Sequence, residues 1–175
     1  LWGDDERFVK TYWQSVFGLW LYSTFDWGLR DEDGYFYILG RTDDVINVAG
    51  HRLGTREIEE SISSHPNVAE VAVVGVADAL KGQVAMAFVV AKDISALGDP
   101  VAKLKLEGDI MKLVDSQLGA VARPSRVLFL NLLPKTRSGK LLRRAIQAVC
   151  EQRDPGDLTT MDDPTPLQQI KEQLA

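Results

Sequence analysis

The sequence predicts an α+β fold in which two or three buried strands are covered by helices. Residues 68–76 and 85–90 are dense in valine and alanine, as is typical of strands covered on both faces. Apolar residues at helical spacing stand on either side of these runs. They are Ile58 and Ile62, then Ile110, Leu113, Val114 and Leu118. Strands and helices in this mixed order favour the α+β class.

The first part of the chain is expected to form short strands and turns. Residues 1–30 read as short strands, and the Asp-Glu-Asp-Gly run at 31–34 is a turn signal. Residues 35–39 and 44–48 then predict two further strands, because each run is apolar and short. A tight polar connection at 40–43 joins them.

A helix should follow the second of these strands. Gly50 and Gly54 bracket a short extended piece, and Thr55 is a suitable N-cap for the helix. The helix should end at His65, because a residue that precedes proline, here Pro66, avoids the helical region.

The remaining elements are a loop, a helix, a strand, a second helix and a tail. Residues 92–102 read as a polar loop before the helix that carries Ile110. A strand at 127–130 and a helix at 141–150 complete the domain. The tail after Gln152 is rich in Asp and Pro, so we expect it to be loosely held. It should end in a short helix near Thr165.

Composition excludes several classes of protein. The chain has 175 residues, a net charge of -5, 45% hydrophobic residues and 26% charged residues, which argues against a wholly disordered chain. No apolar run approaches the roughly 20 residues that cross a membrane. The single cysteine, Cys150, cannot form an internal disulfide, so a cytoplasmic location is expected. The pI of about 5.1 counts against a general nucleic-acid binder.

The aromatic residues are concentrated at the start of the chain. Twelve of the 14 lie in the first 39 positions, and the rest of the chain holds only Phe88 and Phe129. A segment so aromatic needs a large partner surface, so we infer that it belongs to a larger body. An aromatic dimer interface is the alternative.

A second concentration is one of basic residues. No Asp or Glu occurs between Ser116 and Cys150. The basic residues in that stretch are Arg123, Arg126, Lys135, Arg137, Lys140, Arg143 and Arg144. A solvated basic face is one interpretation. The other is an anion site at residues 134–140, where a glycine-containing turn leads to a helix whose first N–H groups would bind phosphate. The run is not a Walker loop, because that loop needs Gly where Pro134 stands and Ser or Thr where Leu141 stands.

A third pattern occupies residues 40–52, Gly-Arg-Thr-Asp-Asp-Val-Ile-Asn-Val-Ala-Gly-His-Arg. Arg41 and Arg52 flank a strand that begins with an Asp pair. By itself this pattern is compatible with a hairpin that has ion-paired ends.

Together these patterns resemble the carboxyl-terminal part of the adenylate-forming acyl-CoA synthetases. In that family Tyr-x-Thr-Gly-Asp precedes Gly-Arg-x-Asp-Asp-x-Ile-x-x-x-Gly-x-Arg, then Glu-Ile-Glu, then Pro-Lys-Thr-x-Ser-Gly-Lys. The matching residues here are 22–26, 40–52, 57–59 and 134–140, in the same order over most of the chain.

Within the family, the closest resemblance is to the branch that activates propionate, a sister of the acetate branch. It is carried by residues 24–28 and 153–158. The resemblance implies that 1–42 end a large N-terminal adenylation domain, that 43–152 form a small mobile C-terminal domain, and that 153–175 are a tail.

The implied reaction joins propionate and ATP to propionyl-adenylate and pyrophosphate, after which coenzyme A gives propionyl-CoA and AMP. ATP would act with Mg²⁺. The missing N-terminal domain would be the partner, with no nucleic acid and no membrane. Because neither a Gly-rich phosphate loop nor an acid pocket is present, we expect the chain alone to be inactive.

The resemblance also implies roles for single residues. Asp26 and Arg41 would hold the ribose of ATP or AMP, and Arg52 would contact phosphate. Asp43 would be the hinge about which the small domain turns. Lys140 would align the carboxylate with the α-phosphate during adenylation.

Further implied roles concern coenzyme A and a cation. Ala49 and Gly50 would border the pantetheine channel, where a larger side chain would block the thiol. In some relatives the loop that ends the helix binds a cation, and Ser63, His65 and Val68 match it. A surface loop without a cation is the alternative reading of His65.

Two residues depart from the family pattern. Phe25 stands where most members have Gly, which fits the propionate branch but changes the packing beside Asp26. Asp115 falls where acetate ligases have a basic residue near the coenzyme A phosphate, so Arg123 or Arg126 would have to serve instead.

Two other activities stay open alongside propionate activation. One is the same chemistry on acetate or another short acid. The other is a stand-alone module that binds polyanions or RNA through the basic stretch. Acetylation of Lys140 by an acetyltransferase, reversed by a deacetylase, would remove its charge and is a further expectation from the family.

Overall fold

A computed structural model describes residues 2–42 and 44–174 of the chain. These residues divide into two compact units, Leu1–Asp43 and Asp44–Ala175. Among the described residues, no helix is both long enough and apolar enough to cross a membrane. The predicted hinge residue, Asp43, lies outside the described residues.

The first unit contains one helix and two antiparallel hairpins. Its elements are α1 (Asp5–Tyr12), β1 (Trp13–Val16), β2 (Leu19–Tyr22), β3 (Asp26–Arg30) and β4 (Phe36–Arg41). β1 pairs with β2, and β3 pairs with β4. The sequence analysis missed α1, although the Asp4 side chain caps it by accepting the Arg7 N–H at 3.0 Å. The turn at 31–34 is confirmed, because the Gly34 N–H donates to the Asp31 carbonyl.

The second unit is built on a five-stranded sheet. Its strands are β5 (Val45–Val48), β6 (His51–Gly54), β7 (Val68–Asp78), β8 (Gly82–Ala91) and β9 (Arg126–Phe129). The order is β6-β5-β8-β7 with antiparallel neighbours, and β9 pairs with β8 in parallel. On the side of β8 that is opposite β7, β5 pairs near the start of β8 and β9 pairs farther along it.

Four α-helices cover this sheet. They are α2 (Thr55–Ser63), α3 (Pro100–Leu118), α4 (Arg143–Cys150) and α5 (Thr165–Leu174). The predicted α+β class and the helices at 55–65 and 141–150 are confirmed. Gly54, not Thr55, is the N-cap of α2. The loop predicted at 92–102 contains a 3₁₀ turn at Ser95–Gly98, and its last residues belong to α3.

The two faces of the sheet carry separate cores. Alternate residues of β8 point to opposite faces, so Ala87 packs with α2 and α3 while Phe88 packs with α4 and α5. Both residues are completely buried. This arrangement confirms that the Val/Ala-rich strands are covered on both sides. Leu118, predicted to lie on the buried stripe of α3, is exposed.

The expectation of a loosely held tail is wrong. Met161, Leu167 and Ile170 are buried in the core that α4 covers. The Gln173 side-chain amide also donates to the Phe129 carbonyl of β9 at 2.8 Å. The Asp residues of this segment are exposed or half-buried, whereas Pro166 and several of the apolar residues are buried.

Candidate functional site

Asp26 and Arg41 come together in the first unit because they are register partners on β3 and β4. Arg41 Nη1 lies 3.9 Å from Asp26 Oδ1, and both side chains are partly exposed. The carboxylate therefore keeps acceptor capacity toward a ligand, and the guanidinium adds donors beside it.

Phe25 lies beside this pair and contacts Arg41. Its backbone is left-handed, with φ of 62°, and its carbonyl accepts the Thr42 N–H at 2.7 Å. The Arg41 guanidinium lies over the Phe25 ring, 5.8 Å from its centroid. A left-handed residue with a side chain costs on the order of 1 kcal/mol relative to glycine. The Phe25 position is thus one that glycine would occupy without strain.

The β5–β6 hairpin presents Ala49 and Gly50 at its tip. Both residues have positive φ, 50° and 86°, as a two-residue type I′ turn requires. The Ala49 N–H donates to the Lys81 carbonyl at 2.8 Å, which fixes the tip at the start of β8. A Cβ atom on Gly50 would have no neighbour within 4 Å, so the tip presents bare backbone to its surroundings.

A cavity of about 560 Å³ opens beside this tip. Ala49, Lys81 and Arg123 line it together with apolar side chains. Arg123 is oriented by Asp115, whose Oδ2 lies 2.8 Å from Arg123 Nη1. Arg126 has a different partner, since its guanidinium donates to the Gln173 carbonyl. Of these two arginines, Arg123 alone is among the residues that line the cavity.

Lys140 stands on a tight hairpin at residues 135–141, called here the Lys140 turn. Lys135 and Leu141 form its paired ends. The Gly139 N–H donates to the Thr136 carbonyl at 2.8 Å, and Gly139 has φ of 82°. The Lys140 N–H donates to Thr136 Oγ1 at 3.1 Å. The Lys140 side chain is exposed, so its ammonium is available to an anion.

The predicted phosphate cradle at a helix start is not formed in this turn. The N–H groups of Thr136, Gly139 and Lys140 donate within the turn itself. The helix that follows, α4, begins only at Arg143. The chemistry of the turn therefore comes from the Lys140 ammonium.

Three of the seven basic residues in this stretch are paired with acidic residues from elsewhere in the fold. Arg123 pairs with Asp115, Lys135 Nζ lies 2.5 Å from Glu70 Oε2, and Arg143 binds Glu59. The segregation of charge along the sequence therefore does not produce a uniformly basic surface. This redistribution weakens the interpretation as a polyanion-binding module.

The Glu59–Arg143 contact is the most buried of these pairs. Arg143 Nη2 donates to both Glu59 carboxylate oxygens at 2.9 Å, and the Val73 N–H donates to Oε1 at 2.8 Å. Burial raises the pKa of Glu59 above its ordinary value, while the Val73 and Arg143 donors act in the opposite direction. The pair ties α2 to the first residue of α4, just beyond the Lys140 turn.

The other predicted site residues lie apart from these groups. Arg52 is exposed on β6, where it is the register partner of Asn47. His65 Nδ1 accepts the Asn67 N–H at 3.2 Å, and the Val68 N–H donates to the His65 carbonyl. Within residues 2–42 and 44–174, no cluster of three or more His, Cys, Asp or Glu side chains could hold a metal ion.

The hairpin tip and the Lys140 turn lie toward opposite ends of the sheet. The tip meets β8 at Gly82, its first residue. The turn is tied through Lys135 to Glu70, whose register partner on β8 is Val90. Val90 lies eight residues beyond Gly82 along β8, a distance of about 26 Å.

Sequence reasoning missed the groups that support the Lys140 turn. Glu59 belongs to the Glu-Ile-Glu run, but nothing in its spacing indicates Arg143 as its partner. The register of Thr136 with Met161 was also missed. Both contacts join segments that are far apart along the chain, so no local pattern marks them.

Comparisons with known proteins show a matching family and several similar relatives. Residues 57–140 match the family described as the AMP-binding enzyme C-terminal domain. The chain is 67% identical over 174 residues to the propionate–CoA ligase of Salmonella typhimurium. It is 46% identical over 171 residues to the acetyl-coenzyme A synthetase of Pyrobaculum aerophilum.

These alignments cover nearly all of the chain but a minor part of each relative. They span 99% and 98% of the chain, and 28% and 24% of the two relatives. Among solved structures, an ATP-bound RpMatB-BxBclM chimera is similar, with a TM-score of 0.70 and 30% identity over 83% of this chain and 27% of that one.

Proposed function

Because the chain belongs to the AMP-binding enzymes and carries their C-terminal domain, we propose that it is part of an AMP-forming propionate–CoA ligase. The complete enzyme would join propionate and ATP to propionyl-adenylate and pyrophosphate. Coenzyme A would then displace AMP to give propionyl-CoA. The identity of 67% to one propionate–CoA ligase, against 46% to an acetyl-coenzyme A synthetase, favours propionate.

The observation that carries the proposal is the separation of the two candidate sites. A domain with a cationic turn toward one end and a bare backbone tip near the other cannot present both to one reaction centre at once. A rotation about a hinge would present each in turn. Asp43 is our proposed hinge, and it precedes the compact unit that begins at Asp44.

In the adenylation step, Lys140 would supply a positive charge on a flexible side chain. An exposed ammonium on a rigid turn can hold the propionate carboxylate against the α-phosphate and stabilise charge as pyrophosphate leaves. Asp26 would accept hydrogen bonds from the ribose hydroxyls, and Arg41 beside it would donate to the same sugar. Arg52 would contact phosphate.

In the thioester step, the hairpin tip would border the path of the coenzyme A thiol. Ala49 and Gly50 offer backbone without bulk, as a narrow channel needs. Arg123, fixed by Asp115 at the neighbouring cavity, would replace the basic residue that is missing at position 115. It would meet a phosphate group of coenzyme A.

Magnesium would enter as the complex with ATP. A further cation at the end of α2 would depend on backbone carbonyl oxygens of Ser63, His65 and Val68, because the His65 ring nitrogen Nδ1 already accepts a hydrogen bond. A cytoplasmic location and reversible acetylation at Lys140 belong to the same proposal. They are supported by the unpaired Cys150 and by the exposure of Lys140.

The second candidate is an acetate–CoA ligase, favoured by the 46% identity to acetyl-coenzyme A synthetase. The complete enzyme would be assayed with propionate and with acetate at matched concentrations, with AMP, ADP and pyrophosphate measured. Formation of AMP with a kcat/KM for propionate about tenfold above that for acetate would support the proposal, since one methylene is worth roughly 10- to 200-fold. A preference for acetate would support the second candidate, and formation of ADP would exclude both.

A further inference from the structure

We propose that residues 160–162 of the C-terminal segment, called here the tail latch, position the Lys140 turn for adenylation. The proposal rests on the proposed function of Lys140 and adds residues that are not part of the turn. The latch residues are positioning residues, since none of them is assigned a contact with substrate.

The latch is joined to the turn through the backbone. The Arg137 N–H donates to the Thr160 carbonyl at 3.2 Å, and the Asp162 N–H donates to the Lys135 carbonyl at 3.0 Å. Between these bonds, Thr136 and Met161 are antiparallel bridge partners. The latch therefore adds a short third strand to the arm of the hairpin that leads into the turn.

The latch itself is fixed by the core. Met161 is 7% exposed and packs in the cluster that includes Leu133 and Ile170. Three residues beyond the latch, α5 begins at Thr165 and docks on the sheet through Leu167 and Ile170. The exposed Lys140 turn is thereby connected, through the latch, to side chains that are buried in the core.

This connection bears on catalysis because the Lys140 side chain is exposed. Its position is set by the backbone of the turn, which is stabilised by Thr136 and by the Lys135–Glu70 pair. The latch is the third support and acts on the backbone of Lys135 and Arg137. Without it the turn would sample other positions, and a displacement of about 1 Å at a reacting group can reduce the rate by roughly 100-fold.

The test removes one latch hydrogen bond and keeps its neighbours. Asp162→Pro deletes the N–H that donates to Lys135, because proline lacks that donor. Asp162→Ala is the matched control, since it shortens the same exposed side chain and retains the N–H. Both variants would be made in the complete enzyme and compared with the unsubstituted enzyme.

Two activities and one structural measurement would be made on each protein. The activities are propionate-dependent ATP–pyrophosphate exchange and thioester formation from supplied propionyl-adenylate and coenzyme A. The structural measurement is amide hydrogen exchange of a peptide covering 134–141, with the α2 peptide 55–63 as the internal reference.

For Asp162→Pro we expect hydrogen exchange of the 134–141 peptide to accelerate by about fivefold or more. This factor corresponds to the loss of the net free energy of one hydrogen bond. Pyrophosphate exchange should fall by at least about tenfold while thioester formation stays near normal. Asp162→Ala should change none of these. Equal losses in both half-reactions, or equal effects of Ala and Pro, would overturn the proposal.

The hydrogen-exchange arm separates this proposal from the proposed function. If the unsubstituted enzyme showed no propionate-dependent exchange, the proposed function would fail while the latch was still tested by the 134–141 peptide. Unchanged hydrogen exchange of that peptide in Asp162→Pro would overturn the latch, whatever the activity of the enzyme.

Discussion

At the scale of single residues, two of the four described non-glycine residues with positive φ lie where the fold meets its proposed ligands. Phe25 and Ala49 both have left-handed backbones although neither is glycine. The first lies beside the Asp26–Arg41 pair, and the second forms half of the exposed hairpin tip. Side chains at such positions are retained against a cost of roughly 1–2 kcal/mol each.

The hairpin tip allows this strain to be measured. Ala49→Gly should raise the free energy of unfolding by about 1 kcal/mol, because glycine adopts positive φ without a steric penalty. Gly50→Ala should lower it by a similar amount through backbone strain alone, since an added Cβ would meet no atom within 4 Å. Urea denaturation of the 175-residue chain would measure both values. Changes of the same sign in the two variants would contradict the type I′ geometry.

The single cysteine gives a second prediction at this scale. Burial, with a smaller contribution from Glu151, raises the pKa of the Cys150 thiol from 9.0 to about 11. Because only the thiolate reacts, alkylation near neutral pH should be at least about tenfold slower in the folded chain than in urea. The thiol would reach its ordinary rate only as the pH approaches the raised pKa. Equal rates in the folded and unfolded chains would show that Cys150 is not protected.

At the scale of elements, the start of α4 is electrostatically unfavourable and lacks a side-chain cap. Its first two residues, Arg143 and Arg144, are cationic at the positive end of the helix, and Leu142 provides no side-chain cap. Glu59 compensates by binding Arg143 from α2. The start of α4, and with it the end of the Lys140 turn, is therefore secured by another helix.

Glu59→Gln should consequently be costly. Removing one partner of this pair leaves Arg143 poorly compensated, and the free energy of unfolding should fall by on the order of 3 kcal/mol. Glu60→Gln is the matched control on the same helix, because the exposed Arg56–Glu60 pair should contribute no more than about 0.5 kcal/mol. Thermal unfolding of both variants would be compared. Similar losses for the two variants would contradict the structural role of Glu59.

Elements were predictable from sequence to the extent that their signals are local. The strands at 68–76 and 85–90 and the helix after Thr55 follow from apolar spacing and turn residues. The docked tail and the Lys135–Glu70 and Arg143–Glu59 pairs were not predictable, because each depends on partners far away in sequence. Met161 meets Thr136, and Arg143 meets Glu59, across distances that no periodic pattern records.

The candidate site was likewise predictable from the sequence only in part. Asp26 and Arg41 could be named from their motifs, and the structure explains their proximity by the β3–β4 register. The N–H groups of Thr136, Gly139 and Lys140 donate within the Lys140 turn, so they do not form the phosphate cradle expected at residues 134–140. What sequence could not supply is the geometry that places the Lys140 turn and the hairpin tip toward different ends of β8.

At the scale of the whole molecule, that separation is the central feature. The first unit carries many exposed aromatic and aliphatic side chains, including Trp20, Tyr35 and Phe36. The chain also spans about a quarter of the length of its relatives. Both observations support the proposed function, in which this domain would work beside a larger body of the same enzyme and present different ends to it in successive steps.

The most direct test of this account is Lys140→Ala in the complete enzyme, with the two half-reactions assayed separately. We predict that propionate-dependent ATP–pyrophosphate exchange falls by roughly 100- to 1,000-fold, the effect of removing one preorganised charge-stabilising donor. Thioester formation from supplied propionyl-adenylate and coenzyme A should persist, because the hairpin tip serves that step. If both half-reactions fell together, or if neither changed, the assignment of the two ends of the sheet to two separate steps would be contradicted.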